Sequence, residues 1–292
     1  MLIIGANSKI GGAIARMLKN EQHDDSVVST TRKANTSCPD DYLLLDLSDP
    51  STFSSIRGRT FGIVFFCAGV TDTLMCKDEW KKTHSINVDA TLQITEELLA
   101  NQNHIVFFSS NLVYDGEEPY PDHSSKTNPK TAYGKQKAEL EIELLNFKSS
   151  VSIIRLTKVV SGGYPLFEKW NSLIGQNKRI TAFEDWLFSP ISLHDVCKLS
   201  LEIAESRFRG IANVSAPDDI SYADAALLLI EQRCGDTALL ERISVNDSPF
   251  SPEWIPKHST LKSEYNLPEA KQCLKEVFEL LPKTHAFNQS HG

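Results

Sequence analysis

A doubly wound α/β fold, with a smaller mixed region after it, is predicted by three observations on the sequence. Short apolar runs alternate with segments of helical spacing over the first 160 residues. The run Gly62–Cys67 is apolar nearly throughout, as a parallel strand covered on both faces requires. A glycine-containing turn, Gly5 to Gly12, joins the first apolar run to the first helical one.

Taken in order, Leu2–Gly5 reads as the first strand, and Ile10–Leu18 carries apolar residues at helical spacing. Ser26–Thr31 and Tyr42–Leu47 read as the second and third strands. Asp49-Pro50 reads as an N-cap with proline in the first turn. Gly62–Cys67 is the fourth strand, and helical segments fall near 86–101. A strand at His104–Ser109, a helix from about Thr131 to Phe147 and a strand at Val151–Leu156 complete the series. Beyond residue 158 the alternation loosens. Gly162–Pro165 is a loop and 166–176 a helix; Ser189–Ala204 is a strand end followed by a helix, and Gly210–Ser215 a strand. Prolines 249, 252, 256 and 268 punctuate the mixed remainder, and Asn288–Gly292 reads as a disordered tail. The expected domains are therefore 1–158, which binds a dinucleotide, and 159–292, which binds substrate, with about 187–215 returning to the first.

Composition narrows the function. The 292 residues carry a formal net charge of -8, which argues against a nucleic-acid-binding face. Six cysteines (Cys38, Cys67, Cys76, Cys197, Cys234, Cys273) show no CxxC or metal-ligand spacing, so reduced thiols and no metal site are expected. The chain opens Met-Leu-Ile-Ile directly into a turn, and no apolar run approaches 20 residues. Neither a signal peptide nor a membrane span is expected, and the cytoplasm is the expected location.

Candidate chemistry sits at strand ends. Ligands in doubly wound sheets lie beyond the carboxyl ends of the strands, and a helix N-terminus there favours an anion. The turn Gly5-Ala6-Asn7-Ser8-Lys9-Ile10-Gly11-Gly12 lacks the full GxGxxG pattern, because Ser8 stands where a middle glycine could. A plain strand–turn–helix remains open beside a dinucleotide turn. At the end of the second strand an NAD site usually carries an acid. Here the residues are Thr30-Thr31-Arg32-Lys33, and Asp24 and Asp25 precede the strand. Two hydroxyls and two cations suit a 2′-phosphate, which favours NADP(H) over NAD(H); a solvated loop is the other reading. Tyr133 and Lys137, four apart, share a helix face. A neighbouring ammonium lowers a phenol's pKa toward that of a working general acid. With seven tyrosines in the chain the spacing alone carries little. Ser110, at the end of the His104–Ser109 strand, adds a hydroxyl that could share a substrate oxygen with Tyr133, although a capping role is open.

These residues together resemble the extended short-chain dehydrogenases, and within them the dTDP-4-dehydrorhamnose reductases and related nucleotide-sugar enzymes. The likeness is carried by the Gly5–Gly11 turn, Asp46-Leu47, Cys67-Ala68-Gly69-Val70-Thr71 and Ser85-Ile86-Asn87-Val88-Asp89-Ala90-Thr91. Its densest stretch runs Ser109-Ser110-Asn111-Leu112-Val113-Tyr114-Asp115-Gly116, then Pro119-Tyr120, then Pro129 to Lys137. Ile154-Arg155, Ser189–Val196 and Pro256–Leu261 match more loosely. The resemblance implies a Rossmann-type sheet with a C-terminal substrate-binding domain, and NADPH delivering hydride to a ketone on a nucleotide-linked sugar. It implies Tyr133 as proton donor, Lys137 holding the ribose and lowering the Tyr133 pKa, and Ser110 polarising the carbonyl. Cofactor contacts fall on Gly5, Asn7, Ser8, Lys9, Ile10, Gly11, Arg32, Asp46, Leu47, Cys67, Ala68, Gly69, Asn87, Tyr133 and Lys137. Substrate contacts fall on Thr71, Asn111, Lys158 and Trp186. A homodimer through helices 86–101 and 131–147 also follows from the family's habits.

Three departures bear on substrate. Ser8 replaces a glycine, which could loosen the pyrophosphate fit without abolishing it. Asn111-Leu112 stand where the 4,6-dehydratases carry an Asp-Glu pair, which sets dehydration aside. Lys158 stands where the resemblance leads one to expect Trp in reductases or Asn in epimerases, and either a substrate phosphate or solvent could meet it. An epimerase of the same family and a non-catalytic regulatory subunit with this fold are the alternatives. Phe188 and His194, near Trp186, could wall a cleft or simply pack; Arg179 reads as an exposed loop residue, and Trp170 and Trp254 as packing residues.

Overall fold

The computed structural model describes residues 1–22, 27–33, 42–147, 150–249 and 252–283. Asp24, Asp25, Cys38, the start of the Ser26–Thr31 run and the tail expected to be disordered lie outside the described residues. The chain divides into two compact units. The first comprises Met1–Asp115, His123–Leu156 and His194–Val214; the second comprises Gly116–Asp122, Thr157–Leu193 and Ser215–Gly292.

The first unit is built on a seven-stranded parallel sheet. Its strands are β1 (Leu2–Ile4), β2 (Val28–Thr31), β3 (Tyr42–Leu44), β4 (Ile63–Phe66), β5 (His104–Ser110), β6 (Val151–Leu156) and, late in the chain, β11 (Gly210–Val214). Their order across the sheet is β11-β6-β5-β4-β1-β2-β3. Every pairing is parallel. Strand order reverses on either side of β1 and β4, which makes their carboxyl ends the crevice where this architecture takes ligands. The central strands are buried at every position, as their apolar runs demanded. Against one face pack Leu45, Leu47, Phe53, Ile56, Ile94, Leu98, Leu140 and Leu144. The Asp49-Pro50 signal is a 3₁₀ turn, Pro50–Ser55, capped by the Asp49 carboxylate accepting from Ser51 N at 3.1 Å.

The helices of this unit are α1 (Lys9–Gln22), α2 (Thr73–Asp78), α3 (Trp80–His84), α4 (Thr91–Ala100), α5 (Ala132–Asn146) and α7 (Leu193–Glu205). The helical segment expected at 86–101 is in fact preceded by α2 and α3. It opens with a π-helical turn over Ser85–Ala90. Such wide turns admit one extra residue and re-aim the side chains they carry, here Asn87.

Among the described residues the second unit has three small strand pairs. β7 (Lys158–Val160) runs parallel to β10 (Pro190–Ser192), and β8 (Ile180–Phe183) parallel to β13 (Leu240–Ile243). β9 (Leu187–Phe188) is antiparallel to β12 (Ile220–Ser221). Helices α6 (Pro165–Gly175), α8 (Tyr222–Gln232) and α9 (Ala270–Glu279) close over them. The core of this unit gathers Phe167, Trp170, Leu229, Ile230, Leu274 and Phe278. Trp170 is buried there, and Trp254 is half-buried. Among the described residues no helix is long and apolar enough to cross a membrane.

Candidate active site

The turn after β1 is shaped by two glycines. Gly5 has φ +86°, and a Cβ there would lie 2.8 Å from Ala68 N, in the loop after β4. A Cβ on Gly11 would run into the Gly5 carbonyl oxygen. The turn and the β4 loop therefore approach as closely as backbone permits, and only glycine allows it. Ser8, read from sequence as a loosening replacement, has a role of its own. Its hydroxyl accepts from Gly11 N at 3.1 Å, and its amide donates to Gly5 O at 2.9 Å. Ser8 is thus the N-cap of α1 and fixes the helix start whose partial positive charge faces the crevice. Lys9 and Ile10 form the first turn of that helix, Lys9 exposed and Ile10 half-buried.

The two threonines expected to meet a 2′-phosphate are engaged elsewhere. Thr30 is buried and its hydroxyl accepts from Gly5 N at 3.0 Å; Thr31, also buried, accepts from Asn7 Nδ2 at 3.3 Å. They tie the glycine turn to β2. The cations Arg32 and Lys33 stay exposed at the strand end. Asp46 accepts from the Ser48 amide at 2.9 Å and the Ser48 hydroxyl at 2.7 Å, and Leu47 is buried in the sheet core.

After β4, Cys67 N donates to Ile4 O at 2.8 Å, which prolongs the β1–β4 pairing into the crevice. Burial pushes the Cys67 thiol far up, with Cys197 adding to the effect and Lys137 opposing it. Ala68 lies against Gly5; Gly69 and Thr71 are exposed. Asn87 holds this loop. Its Oδ1 accepts from Val70 N at 2.7 Å, while Nδ2 donates to Val70 O at 2.9 Å and Gln136 Oε1 at 2.8 Å. Gln136 Nε2 in turn donates to Thr83 Oγ1 at 3.0 Å. Both polar atoms of the Asn87 side chain thus brace the loop, so Asn87 orders the site through backbone.

The third wall is β5 and α5. Ser110 ends the strand, and its hydroxyl accepts from Leu112 N at 3.2 Å and lies 3.3 Å from Asn111 Oδ1. It caps the 3₁₀ turn Asn111–Val113. That turn presses on the start of α5, since a Cβ on Gly134 would collide with Leu112 O. Thr131 caps α5 by accepting from Gly134 N at 3.0 Å. Tyr133 is buried beside Cys76, Val70 and Leu112. One turn on, Lys137 Nζ donates to Phe108 O at 2.8 Å and lies 4.3 Å from the Phe107 ring and 5.7 Å from the Tyr133 ring. The structure therefore brings the tyrosine, the lysine and the end of β5 together.

Its electrostatics correct one expectation. The Tyr133 phenol is not lowered by Lys137; burial pushes it well above the ordinary tyrosine value, and Cys76 adds to this. The ammonium is directed at the Phe108 carbonyl, which is why it does little for the phenol. Lys137 itself is lowered to about 8 by burial, against the opposing charge of Glu141.

The acid-rich stretch Glu139–Glu143 reads from its charges as a solvated face, and the burial of Glu141 against Arg155 corrects that reading. Glu141, one turn beyond Lys137, accepts from Arg155 Nε at 3.0 Å and Nη2 at 2.6 Å, with both side chains buried. Arg155 Nη1 also donates to the Tyr114 hydroxyl. Gln136 carried a signal that was there to read: a polar residue on the same helix stripe as the apolar ones, next to the Tyr–Lys face.

Lys158 and Trp186 belong to the second unit. Lys158 opens β7 with its side chain exposed, its Nζ 5.6 Å from the Tyr164 ring centroid. Trp186 is half-buried against Phe183 and Tyr222, at 5.7 and 5.5 Å between ring centroids. No cluster of three or more His, Cys, Asp or Glu among the described residues could hold a metal.

No curated protein matches the chain. Among solved structures, a dTDP-4-dehydrorhamnose reductase from Clostridium acetobutylicum superposes with a TM-score of 0.82 at 22% identity, over 96% of this chain and 98% of that one. A dTDP-4-dehydrorhamnose reductase from Bacillus anthracis in complex with NADP gives 0.82 at 18% identity, over 95% and 98%. A dTDP-glucose 4,6-dehydratase from Streptomyces venezuelae with NAD bound gives 0.76 at 14%, over 96% and 95%. These likenesses establish the fold, a Rossmann-like sheet with flanking helices. The family model described as RmlD substrate binding domain matches residues 1–276, and the chain therefore belongs to that family, among the extended short-chain dehydrogenases.

Proposed function

We propose that this chain reduces a keto group on a nucleotide-activated sugar, with NADPH preferred to NADH as the hydride source. The observation that carries the reading is the Tyr133–Lys137 face of α5, held at the carboxyl end of β5 by the Lys137–Phe108 hydrogen bond. Membership of the RmlD family and the likeness to dTDP-4-dehydrorhamnose reductases support the substrate class.

The crevice fits a dinucleotide. At Gly5 and Gly11 any side chain would fill the space between turn and sheet, and the first turn of α1 offers backbone amides to a pyrophosphate. Gly5, Asn7, Ser8, Lys9, Ile10 and Gly11 would hold the pyrophosphate, and Arg32 the 2′-phosphate. Asp46 and Leu47 would lie at the adenine end, and Cys67, Ala68 and Gly69 along the middle, braced by Asn87. Tyr133 and Lys137 would meet the nicotinamide ribose. Once bound, the dinucleotide supplies the hydride that reaches the carbonyl carbon.

The remaining steps belong to the protein. A phenol whose pKa is raised keeps its proton until a strong acceptor forms, so Tyr133 donates to the carbonyl oxygen as negative charge develops there. The Lys137 ammonium, fixed by Phe108 O, steadies that charge. Ser110 orients the oxygen; its two present hydrogen bonds are long, at 3.2 and 3.3 Å. Thr71, Asn111, Lys158 and Trp186 are assigned to substrate. The same reading places the protein in the cytoplasm as a homodimer joined through α4 and α5, and light scattering that returns a monomer removes the dimer.

Fluorescence titration of NADPH and NADH tests the cofactor assignment. NADPH should bind the tighter, and Arg32→Ala should weaken NADPH by tenfold or more while leaving NADH nearly unchanged, about what one lost charge-assisted contact costs. Failure of both nucleotides to bind overturns the oxidoreductase reading.

A further inference from the structure

Two charged residues lie buried behind the Tyr133–Lys137 face, and no step of the reduction gives them a task. Glu141 stands one turn beyond Lys137 on α5 and Arg155 stands on β6, each side chain no more than 3% exposed. Arg155 takes both carboxylate oxygens, Nε donating to Oε1 at 3.0 Å and Oε2 at 3.2 Å, and Nη2 to Oε2 at 2.6 Å. A pair this deep adds little net stability, because desolvating two ions offsets most of their attraction. Apolar residues of similar volume commonly serve a fold as well. What they cannot supply is charge and directed hydrogen bonds, and here both point toward the site.

The charge reaches Lys137. Side chains four apart on a helix are neighbours, and in a dry interior their charges act on one another strongly. Burial works against the Lys137 ammonium, and Glu141 is the strongest of the groups that favour it, ahead of the Cys76 and Cys67 thiols. The Tyr133 ring faces the ammonium from the preceding turn, and Phe108 O accepts from it on β5. Because Arg155 occupies both carboxylate oxygens, Glu141 stays a turn behind and leaves the ammonium directed at Phe108 O.

The hydrogen bonds reach Ser110. Arg155 is the register partner of Ser109, the residue before it. Arg155 Nη1 donates to the Tyr114 hydroxyl and, at 3.3 Å, to His123 O, and the guanidinium carbon lies 5.0 Å from the Tyr114 ring centroid. Tyr114 ends the short turn Asn111–Val113 that Ser110 caps. One residue thus holds that turn at both ends, through its backbone on the strand side and its side chain on the other.

We propose that Glu141 and Arg155 are positioning residues for the reduction: the Glu141 carboxylate keeps the Lys137 ammonium charged from one turn behind it, and Arg155, through Tyr114, holds Ser110 where it meets the carbonyl oxygen. The inference rests on the reductase reading for the roles of Lys137 and Ser110.

Carbon-13 NMR of the lysine ε-carbons follows the ammonium without any cofactor, the Lys137 resonance being the one lost in Lys137→Met. Wild type should titrate at about pH 8. Glu141→Gln alone leaves a buried guanidinium unpaired and threatens the fold, so the Glu141→Leu, Arg155→Met double variant is measured as well, with thermal midpoints alongside. In the double variant the Lys137 titration should move down by about one pH unit, the scale of a lost opposite charge. An unmoved titration in a folded double variant refutes the role of Glu141. Tyr114→Phe leaves both ions in place and removes only the acceptor of Nη1. It should lower keto-sugar turnover about tenfold, the scale of one hydrogen bond to a charged group, with NADPH affinity and the Lys137 titration unchanged. Wild-type turnover in that variant refutes the role of Arg155. NADPH titrated into wild type reports separately on the reductase reading. NADPH binding with an unmoved Lys137 titration removes the role of Glu141 alone. A shifted titration without NADPH binding removes the reductase reading, and the Ser110 role with it, while the hold of Glu141 on Lys137 stands.

Discussion

At the scale of single residues, the site turns on two groups whose burial moves them in opposite directions. Tyr133 is pushed up and Lys137 down, to about 8, so at neutral pH both groups hold their protons. The phenol stays protonated and the amine stays largely cationic, which suits reduction, where a proton must be given and negative charge met. Tyr133→Phe removes the donor and little else, because the ring keeps its packing against Val70, Cys76 and Leu112. Turnover of a keto-sugar should fall about 10²- to 10⁴-fold with NADPH affinity nearly unchanged. A variant that retains wild-type turnover would assign the proton to another group. Lys137 adds a pH signature. Its cationic form is lost as pH rises through about 8, so NADPH affinity should decline above that point in wild type. A decline that persists unchanged in Lys137→Met would place the titrating group elsewhere.

Among the elements, α1 shows how a local rule serves the site. Ser8 caps the helix at the position where the dinucleotide pattern puts glycine, and its hydroxyl satisfies Gly11 N. Ser8→Ala should cost about 1 kcal/mol of stability and Ser8→Gly only a few tenths, both read by urea denaturation. Equal costs would mean that the hydroxyl does not cap the helix in solution. Ser8 also shows what the sequence could convey. Its identity was plain, but its meaning depended on where the helix begins, and helix boundaries are set by such caps as much as by periodicity. The sheet strands were legible because a parallel strand buried on both faces must be apolar throughout. The placement of Tyr133 and Lys137 on one helix face and of Ser110 at a strand end was legible because these are local patterns. The brace behind them was not. Asn87 meets Gln136 across 49 residues and Gln136 meets Thr83 across 53, and no local spacing encodes such pairings. The second unit was opaque for a related reason. Its strands are two to four residues long, and β8 finds β13 some 60 residues later. Helices α8 and α9 lay unread in the mixed remainder, although both carry buried apolar stripes.

For the molecule as a whole, acid stability should be governed in part by a histidine at the far end of the sheet from the site. His104 opens β5, is fully buried, and joins the strand beside it through Ser150 Oγ at 2.6 Å and Ser152 Oγ at 2.9 Å. Ser152 donates onward to Phe208 O at 2.6 Å, just ahead of β11, so one imidazole links three successive parts of the sheet. Burial lowers its pKa to about 4 from an ordinary 6.5, and the Arg207 and Arg209 charges push the same way. The folded protein therefore holds this ring neutral where the unfolded chain would protonate it. Between pH 6.5 and 4 the unfolded state binds the extra proton, so stability is complete above 6.5 and is lost as pH falls toward 4, with no further loss from this group below. The full difference corresponds to about 3 kcal/mol, a large fraction of the 5–15 kcal/mol typical of a folded protein. His104→Asn provides the control, since it removes the titration while leaving a polar group between the two serines. Urea denaturation at several pH values from 7.5 to 4.5 should show the variant less stable than wild type at 7.5 and the gap narrowing steadily below 6.5. A gap that stays constant across that range would mean that His104 takes up its proton as readily in the fold as in the unfolded chain, and a gap that widens would mean that the fold favours the imidazolium.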